Sequence, residues 1–135
     1  LYIDDELIAQ YDADGIIVAT PTGTTAYNLS AGGPVISPEI QAISITPICP
    51  HSMSAKPVVV PAHKTLRVES KNTLVPALYA VDGEIAGELI QQESITIRKA
   101  QFPLRMVDLN REEDDFYFLL KKKLHWAMNP RWKTG

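Results

Sequence analysis

The sequence has few of the features that mark several common classes of protein. Its single cysteine, Cys49, excludes a disulfide within the chain, which is typical of a reducing compartment. Lysine and arginine total 13 against 16 acidic residues, so the net charge of -3 argues against a nucleic-acid-binding surface. No apolar run approaches the roughly 18 residues of a membrane helix, and no signal-peptide pattern opens the chain. These absences favour a cytoplasmic protein without nucleic-acid or membrane partners.

The chain is long and apolar enough to fold as one domain. It has 135 residues, of which 45% are hydrophobic, and this composition supports a core without disulfides. The first residue is Leu1, and Leu1–Ile3 already has the character of a strand. Because proteins rarely begin inside a β-element, we expect this chain to be part of a longer polypeptide.

Short strand-like segments, separated by proline, glycine, asparagine or lysine, recur along most of the sequence. Apolar and polar residues alternate clearly in Leu66–Glu69 and Ile95–Arg98, which indicates half-buried strands. Asp82-Gly83 is typical of a tight turn, and Asp4-Asp5-Glu6 is a second candidate hairpin turn. The predicted strands are Leu1–Ile3, Leu7–Tyr11, Ile16–Thr20, Ile43–Ile45, Val58–Val60, Thr65–Ser70, Leu78–Val81, Ile95–Arg98 and Leu104–Val107.

Two further segments favour helices. Thr24 or Thr25 can cap a short helix that runs to about Ala31, with Gly32 as its left-handed stop. Later in the chain, Asn110–Glu113 resembles a capping box that precedes an apolar stripe. The stripe consists of Phe116, Leu119, Leu120 and Leu124, with Lys121–Lys123 near the expected helix end. The predicted fold is therefore mainly β: a β-sandwich with a short inserted helix and a C-terminal helix.

The exit of the predicted strand Ile16–Thr20 is rich in hydroxyl groups. The segment Thr20–Tyr27, TPTGTTAY, contains four threonines, one glycine and one tyrosine. A strand that ends in a glycine-containing turn before a helix presents backbone N–H groups, which suit anionic or polar ligands. Threonine hydroxyls can bond a ribose or a base edge, and Tyr27 offers a flat face for stacking. From these residues alone, the favoured interpretation is that the threonines cap a helix while the tyrosine fills the core.

The longer string Asp14–Pro38, DGIIVATPTGTTAYNLSAGGPVISP, changes this balance. It resembles the second half of NAD kinases, which phosphorylate the 2′-hydroxyl of the adenosine ribose of NAD with ATP or, in some members, polyphosphate. Two later segments are also similar to that family, namely ITPICPHSMSAKPVVVP (Ile45–Pro61) and AVDGE (Ala80–Glu84). The similarity extends from about Tyr2 to Val107. It implies the second domain of the NAD kinase/diacylglycerol kinase-like fold, with residues 1–135 as the C-terminal NAD-binding domain and the N-terminal α/β domain absent.

The resemblance also implies a set of NAD-binding residues. These residues are Asp14, Thr25, Ala26, Tyr27, Ser30, Cys49 and His51. Thr25 and Ser30 would contact the adenine, and Tyr27 would line the adenosine and nicotinamide sides of the site. Asp14 and Cys49 would reach a dinucleotide that is bound mainly by a neighbouring subunit. Where family members carry a histidine at the position of Gly83, it approaches the diphosphate, and glycine removes that contact here.

Two elements of the family do not occur in this sequence. The phosphate-binding G-G-D-G-T loop, whose aspartate is the proposed general base toward the 2′-hydroxyl, is missing, as is the Asn-Glu/Asp pair that holds the ribose. Phosphoryl transfer depends on that positioning and proton acceptor, so we assign no catalytic residue here and expect the isolated chain to be inactive. For the complete enzyme, the resemblance implies NAD and ATP or polyphosphate, Mg2+ or another divalent metal, and a homo-oligomer, either dimer or tetramer.

Two other functions remain open from the sequence. The chain can be a C-terminal domain of a lipid kinase of the diacylglycerol or sphingosine type, or a non-catalytic β-sandwich binding module. The setting of His51 between two small residues favours a structural role over a catalytic one, and Cys49 has no evident local base. Histidine, cysteine and carboxylate residues do not cluster with zinc-site spacing, so the sequence predicts no metal held by this chain.

Overall fold

The computed structural model describes residues 1–71, 75–105, 107 and 116–125 of the chain. It contains two compact units, Leu1–Gln101 and Phe102–Gly135. In the first unit the strands are β1 (Tyr2–Ile3), β2 (Glu6–Leu7), β3 (Gly15–Ala19), β4 (Ala42–Ile48), β5 (Val58–Pro61), β6 (Leu66–Glu69), β7 (Ala77–Val81), β8 (Glu84–Leu89) and β9 (Ser94–Ile97). The prediction of a mainly β fold is confirmed.

The strands described in the first unit form three antiparallel sheets. The largest sheet has the order β2-β1-β6-β9, the second has the order β3-β4-β5, and β7 pairs with β8 alone. In the second sheet, β4 is the central strand, and its register with β3 sets Gly15 opposite Ile48 and Ala19 opposite Ser44. This register determines which loops share an end of the sheet.

The hydrophobic core lies between the first two sheets. Ile43 and Ile45 of β4 and Val60 of β5 cluster with Leu66 of β6, and Ile45 and Leu66 are completely buried. Partly buried side chains of β1, β3 and β9 pack against this cluster. Because residues of both sheets fill one apolar layer, the two sheets form the predicted β-sandwich.

Both predicted hairpin turns are present. Asp4 and Asp5 have φ angles of 49° and 67°, and Asp82 and Gly83 have φ angles of 50° and 90°. Positive φ at both central residues is what a two-residue turn needs to match the twist of the flanking strands. The second turn joins β7 to β8, a strand that was not among those predicted, because its exposed, charged residues lack a clear apolar alternation.

Two strand predictions fail against the structure. The segment Leu7–Tyr11 continues the sheet only as far as Leu7. In Leu104–Val107, the three described residues are not in a strand, and Leu104 and Val107 are each 87% exposed. A strand needs a partner for its backbone hydrogen bonds, and an apolar pattern within one segment does not reveal whether a partner is available.

The inserted helix is shorter than predicted and begins differently. A 3₁₀ turn covers Thr22–Thr25, and α1 covers only Tyr27–Ser30. The prediction that Thr24 or Thr25 caps the helix is wrong, because Ala26 occupies the cap position and no side chain bonds there. The left-handed stop is confirmed, since Gly32 has a φ angle of 81°.

The second unit contains α2, which covers Phe116–Leu124. Its last turn carries the three lysines as predicted, where their charge is favourable against the helix dipole. Of the apolar stripe, Leu120 is buried and Leu124 is 37% exposed. The predicted capping box at Asn110–Glu113 lies outside the described residues. In the described parts of the chain, no helix has the length and apolar character to cross a membrane.

Burial in the core predicts a large difference in the loss of stability between alanine variants of two isoleucines. Ile45→Ala removes a side chain with no exposed surface, so we expect a loss of about 2–5 kcal/mol in the free energy of unfolding. Ile40→Ala changes a side chain that is 53% exposed, and its loss should be about 1 kcal/mol or less. Urea unfolding followed by circular dichroism measures both. Equal losses would show that the layer around Ile45 is not the main core.

Candidate functional site

The TPTGTTAY segment that follows β3 has one buried residue, Thr24, and ends in three exposed residues before the buried Asn28. Thr24 and Asn28 are 0% and 1% exposed, whereas Tyr27 is 61% exposed. Thr25 and Ser30 are also exposed, and the Thr25 hydroxyl donates to the Thr22 carbonyl at 3.3 Å. The ring of Tyr27 therefore does not fill the core, and the segment presents hydroxyls and one aromatic face to its surroundings.

Beneath this surface, Asn28 is the centre of a buried set of hydrogen bonds. Its Nδ2 donates to the Thr24 carbonyl at 3.1 Å and to the Pro34 carbonyl at 3.0 Å. Its Oδ1 accepts from Ser44 Oγ at 3.2 Å and from Thr46 Oγ1 at 2.7 Å. An asparagine amide has two N–H donors and an oxygen that can accept twice, so every position is used.

Thr24 makes a second set of bonds within the same segment. Its Oγ1 donates to the Pro21 carbonyl at 2.5 Å and accepts from the Ile36 backbone N–H at 3.1 Å. Gly33 lies directly against Asn28: its backbone N–H donates to the Asn28 carbonyl at 2.8 Å, and a Cβ at residue 33 would stand 2.3 Å from Asn28 Oδ1. Glycine is therefore required at this close approach.

A second group of candidate residues lies where β3 begins and β4 ends. The Asp14 backbone N–H donates to the Ile48 carbonyl at 3.0 Å, and the His51 backbone N–H donates to the Asp12 carbonyl at 2.8 Å. His51 Nδ1 lies 3.3 Å from Asp12 Oδ2, with both side chains largely exposed. Cys49 is exposed and has a φ angle of 45°. The start of β3 and the turn after β4 thus bring Asp14, Cys49 and His51 to the same end of the sheet.

The seven candidate residues consequently fall into two groups at opposite ends of β3. Thr25, Ala26, Tyr27 and Ser30 follow the Ala19 end, and the other three residues flank the Gly15 end. Five strand residues at about 3.3 Å each place these ends roughly 15 Å apart. The two groups thus flank opposite ends of one short strand.

Other residues that the sequence singled out have ordinary surroundings. Gly83 lies in the β7–β8 turn, with nothing within 4 Å of the position a Cβ would take. Among the residues that the structure describes, no three His, Cys, Asp or Glu side chains are grouped closely enough to hold a metal ion.

The sequence does contain a signal for these buried hydrogen bonds, in the alternation of apolar and hydroxyl residues along β4. In β4, Ile43 and Ile45 alternate with Ser44 and Thr46, so successive side chains point to opposite faces. Both faces are buried: the isoleucines join the core, and the hydroxyls meet Asn28. A strict polar alternation inside a strand usually indicates a solvent-exposed face, which is why these residues were missed.

Comparison with known proteins gives a consistent result. Residues 1–109 match the family described as the ATP-NAD kinase C-terminal domain. The chain is 41% identical over 127 residues to the NAD kinase of Carboxydothermus hydrogenoformans, covering 94% of this chain and 45% of that protein. It is 42% identical over 127 residues to the NAD kinase of Lachnoclostridium phytofermentans, covering 91% of this chain and 44% of that protein. The chain thus spans less than half the length of these relatives.

Two solved structures are similar to this chain in both fold and sequence. Yeast NADH kinase, in a crystal structure complexed with NADH, superposes with a TM-score of 0.79 and 32% identity, covering 96% of this chain and 40% of that one. An NAD kinase from Archaeoglobus fulgidus, in complex with ATP, has a TM-score of 0.65 and 33% identity, covering 76% of this chain and 39% of that one. The matching residues include the whole exposed segment and both sheets of the sandwich, and the chain therefore belongs to the ATP-NAD kinase C-terminal domain family.

Proposed function

We propose that residues 1–135 form the C-terminal, NAD-binding domain of an NAD kinase, which transfers a phosphoryl group from ATP or polyphosphate to the 2′-hydroxyl of the adenosine ribose of NAD. The observation that carries this proposal is the exposed surface formed by Thr25, Ala26, Tyr27 and Ser30, here called the NAD wall, in a chain of this family. The wall is open to a ligand, yet the residues directly behind it are fully buried and hydrogen-bonded.

The chemistry of the NAD wall suits an adenosine. The exposed ring of Tyr27 can stack on a heterocycle, and the hydroxyls of Thr25 and Ser30 can donate to or accept from the base edge. Ala26 adds only a methyl group, which permits a ligand to approach the backbone. The yeast relative was solved with NADH and the Archaeoglobus relative with ATP, and both ligands contain an adenosine.

The second group, at the other end of β3, contributes to a different copy of the site. Asp14, Cys49 and His51 flank the Gly15 end of β3, whereas the NAD wall follows its Ala19 end. Their placement supports a site assembled from two subunits of a homo-oligomer, either a dimer or a tetramer. In that arrangement Asp14 reaches the nicotinamide portion of the dinucleotide that the neighbouring subunit holds.

The remaining parts of the reaction belong to polypeptide outside these residues. The chain has no G-G-D-G-T loop to hold phosphates and supply the proton acceptor. Mg2+ or another divalent metal accompanies ATP in the proposed complete enzyme, but the described residues offer no donor set for it, and no step is assigned to a metal bound here.

The family match favours this function over a lipid kinase or a non-catalytic module. We place the enzyme in the cytoplasm.

The direct test of this function is the formation of NADP. The intact protein that carries these residues should convert NAD to NADP with ATP or polyphosphate and a divalent metal, as measured with an NADP-specific dehydrogenase. The 135 residues alone should give no NADP above a blank without protein, since the loop that positions the phosphates is missing. Turnover of diacylglycerol or sphingosine instead of NAD would contradict the proposal.

Tyr27 provides a residue-level test of the NAD wall. Tyr27→Ala in the intact protein should weaken NAD binding by about 1–3 kcal/mol, the usual contribution of stacking between a base and an aromatic ring. ATP binding should weaken less. Tyr27→Phe, which retains the ring, should lose much less affinity for NAD. Isothermal titration calorimetry measures each dissociation constant, and equal losses for NAD and ATP in Tyr27→Ala would indicate misfolding instead of a lost contact.

The two-subunit site can be tested by mixing variants. Asp14→Asn and Tyr27→Ala should each impair NAD phosphorylation when they are the only variant present. In a mixed oligomer, some sites receive an unaltered NAD wall from one subunit and an unaltered Asp14 from its neighbour. Dissociating and reassembling the two variants together should therefore raise activity above that of either parent. Activity that stays at the average of the parents would place both residues in a site within one chain.

A further inference from the structure

Resting on the function proposed above, we propose that Asn28 is a positioning residue for the NAD wall, anchored from behind by Ser44 and Thr46 of β4. Asn28 follows Tyr27 directly in the chain, and its amide holds the two backbone segments that flank the wall. It does not contact the exposed surface, because it is 1% exposed. Its effect on the nucleotide must therefore pass through the backbone on either side of it.

The hydrogen bonds fix the segment at both of its ends. Asn28 Nδ2 bonds to the carbonyl of Thr24, which precedes the wall, and to the carbonyl of Pro34, which follows it. The Thr24 hydroxyl adds a bond from the Ile36 N–H at 3.1 Å. One amide and one hydroxyl thus join the two ends of the segment from 24 to 36, in addition to the backbone hydrogen bonds within it.

The same amide is held to the sheet by its oxygen. Ser44 Oγ and Thr46 Oγ1 donate to Asn28 Oδ1 at 3.2 Å and 2.7 Å, and both hydroxyl residues are 0% exposed. They belong to β4, whose opposite face is in the hydrophobic core. Through Asn28, the backbone on both sides of the exposed wall is therefore held in a fixed position relative to β4, the most buried strand.

A general contribution to stability does not account for this choice of residues. Buried polar groups give little net stability compared with an apolar core of the same shape, but they favour one arrangement because any other leaves a donor or acceptor unpaired. No buried side-chain nitrogen or oxygen among the described residues lacks a partner. Gly33 makes the arrangement possible, since any Cβ there would displace the Asn28 oxygen. The site is thus specialised for one geometry.

The decisive variant is Thr46→Val in the intact protein. It keeps the shape of the side chain, removes the shorter bond to Asn28 Oδ1 and leaves every residue of the NAD wall unchanged. We expect the dissociation constant for NAD to rise about fivefold, as for the loss of one ordinary hydrogen bond, with a raised KM for NAD and little change in kcat. Thr46→Ser retains the hydroxyl and should restore binding.

Three controls make each outcome decisive. Ile45→Val lies on the same strand, destabilises the core without touching the hydrogen bonds, and should bind NAD normally. If Thr46→Val does not fold, Ser44→Ala removes the longer bond to the same oxygen and is expected to give a smaller rise. Tyr27→Ala reports on the wall itself. Calorimetry with NAD is performed below the unfolding transition of every variant, as defined by circular dichroism.

The results separate the two proposals. If Thr46→Val, or Ser44→Ala in its place, binds NAD as the unaltered protein does while Tyr27→Ala binds weakly, the positioning role of Asn28 is overturned and the function stands. If Ile45→Val weakens NAD binding as much as Thr46→Val does, the effect comes from general destabilisation, and the positioning role is also overturned. If Tyr27→Ala has no effect on NAD binding, the proposed function itself fails.

Discussion

The buried amide of Asn28 is the constraint on which the rest of this domain depends. It bonds two carbonyls of an irregular segment and two hydroxyls of β4, and of these four hydrogen bonds only the one to the Pro34 carbonyl is partly exposed. An apolar residue at this position would remove a hydrogen-bond partner from each of these four groups, at a cost in desolvation for those that are buried. The loop is therefore fixed by the need to pair its own backbone.

This constraint explains how β4 can serve two layers at once. Its isoleucines contact the core between the sheets, and its hydroxyl residues contact the segment on the opposite side. An isoleucine in place of Ser44 or Thr46 would remove a partner of Asn28, and a hydroxyl in place of Ile45 would enter the core. The alternation along one strand thus connects the stability of the sandwich with the shape of the surface that carries the proposed function.

The sequence predicted the sandwich because its strands have a recognisable local alternation of apolar and polar residues, as in Leu66–Glu69. In addition, Asp82-Gly83 is compatible with few turns other than a tight hairpin turn. It did not predict the conformation of residues 22–30, since the decisive partners of Asn28 lie 16 and 18 positions further along the chain. The same reason accounts for the false strand at Leu104–Val107, where pairing depends on distant residues. The candidate site residues came from the resemblance to NAD kinases, whereas local chemistry alone favoured a core position for Tyr27, which is in fact 61% exposed.

The separation of the candidate residues along β3 has a consequence for the proposed enzyme. A strand of five residues is short and rigid, so the positions of its two ends are linked through the register with β4. If one end forms the NAD wall of its own subunit and the other reaches the nicotinamide bound by a neighbour, each subunit takes part in two sites. Assembly and substrate binding then share one structural element, and a shift in the register of β3 on β4 would disturb both sites together. Since Ser44 and Thr46 lie on the strand that sets this register, the hydrogen bonds to Asn28 and the cross-subunit contact have a common origin in β4.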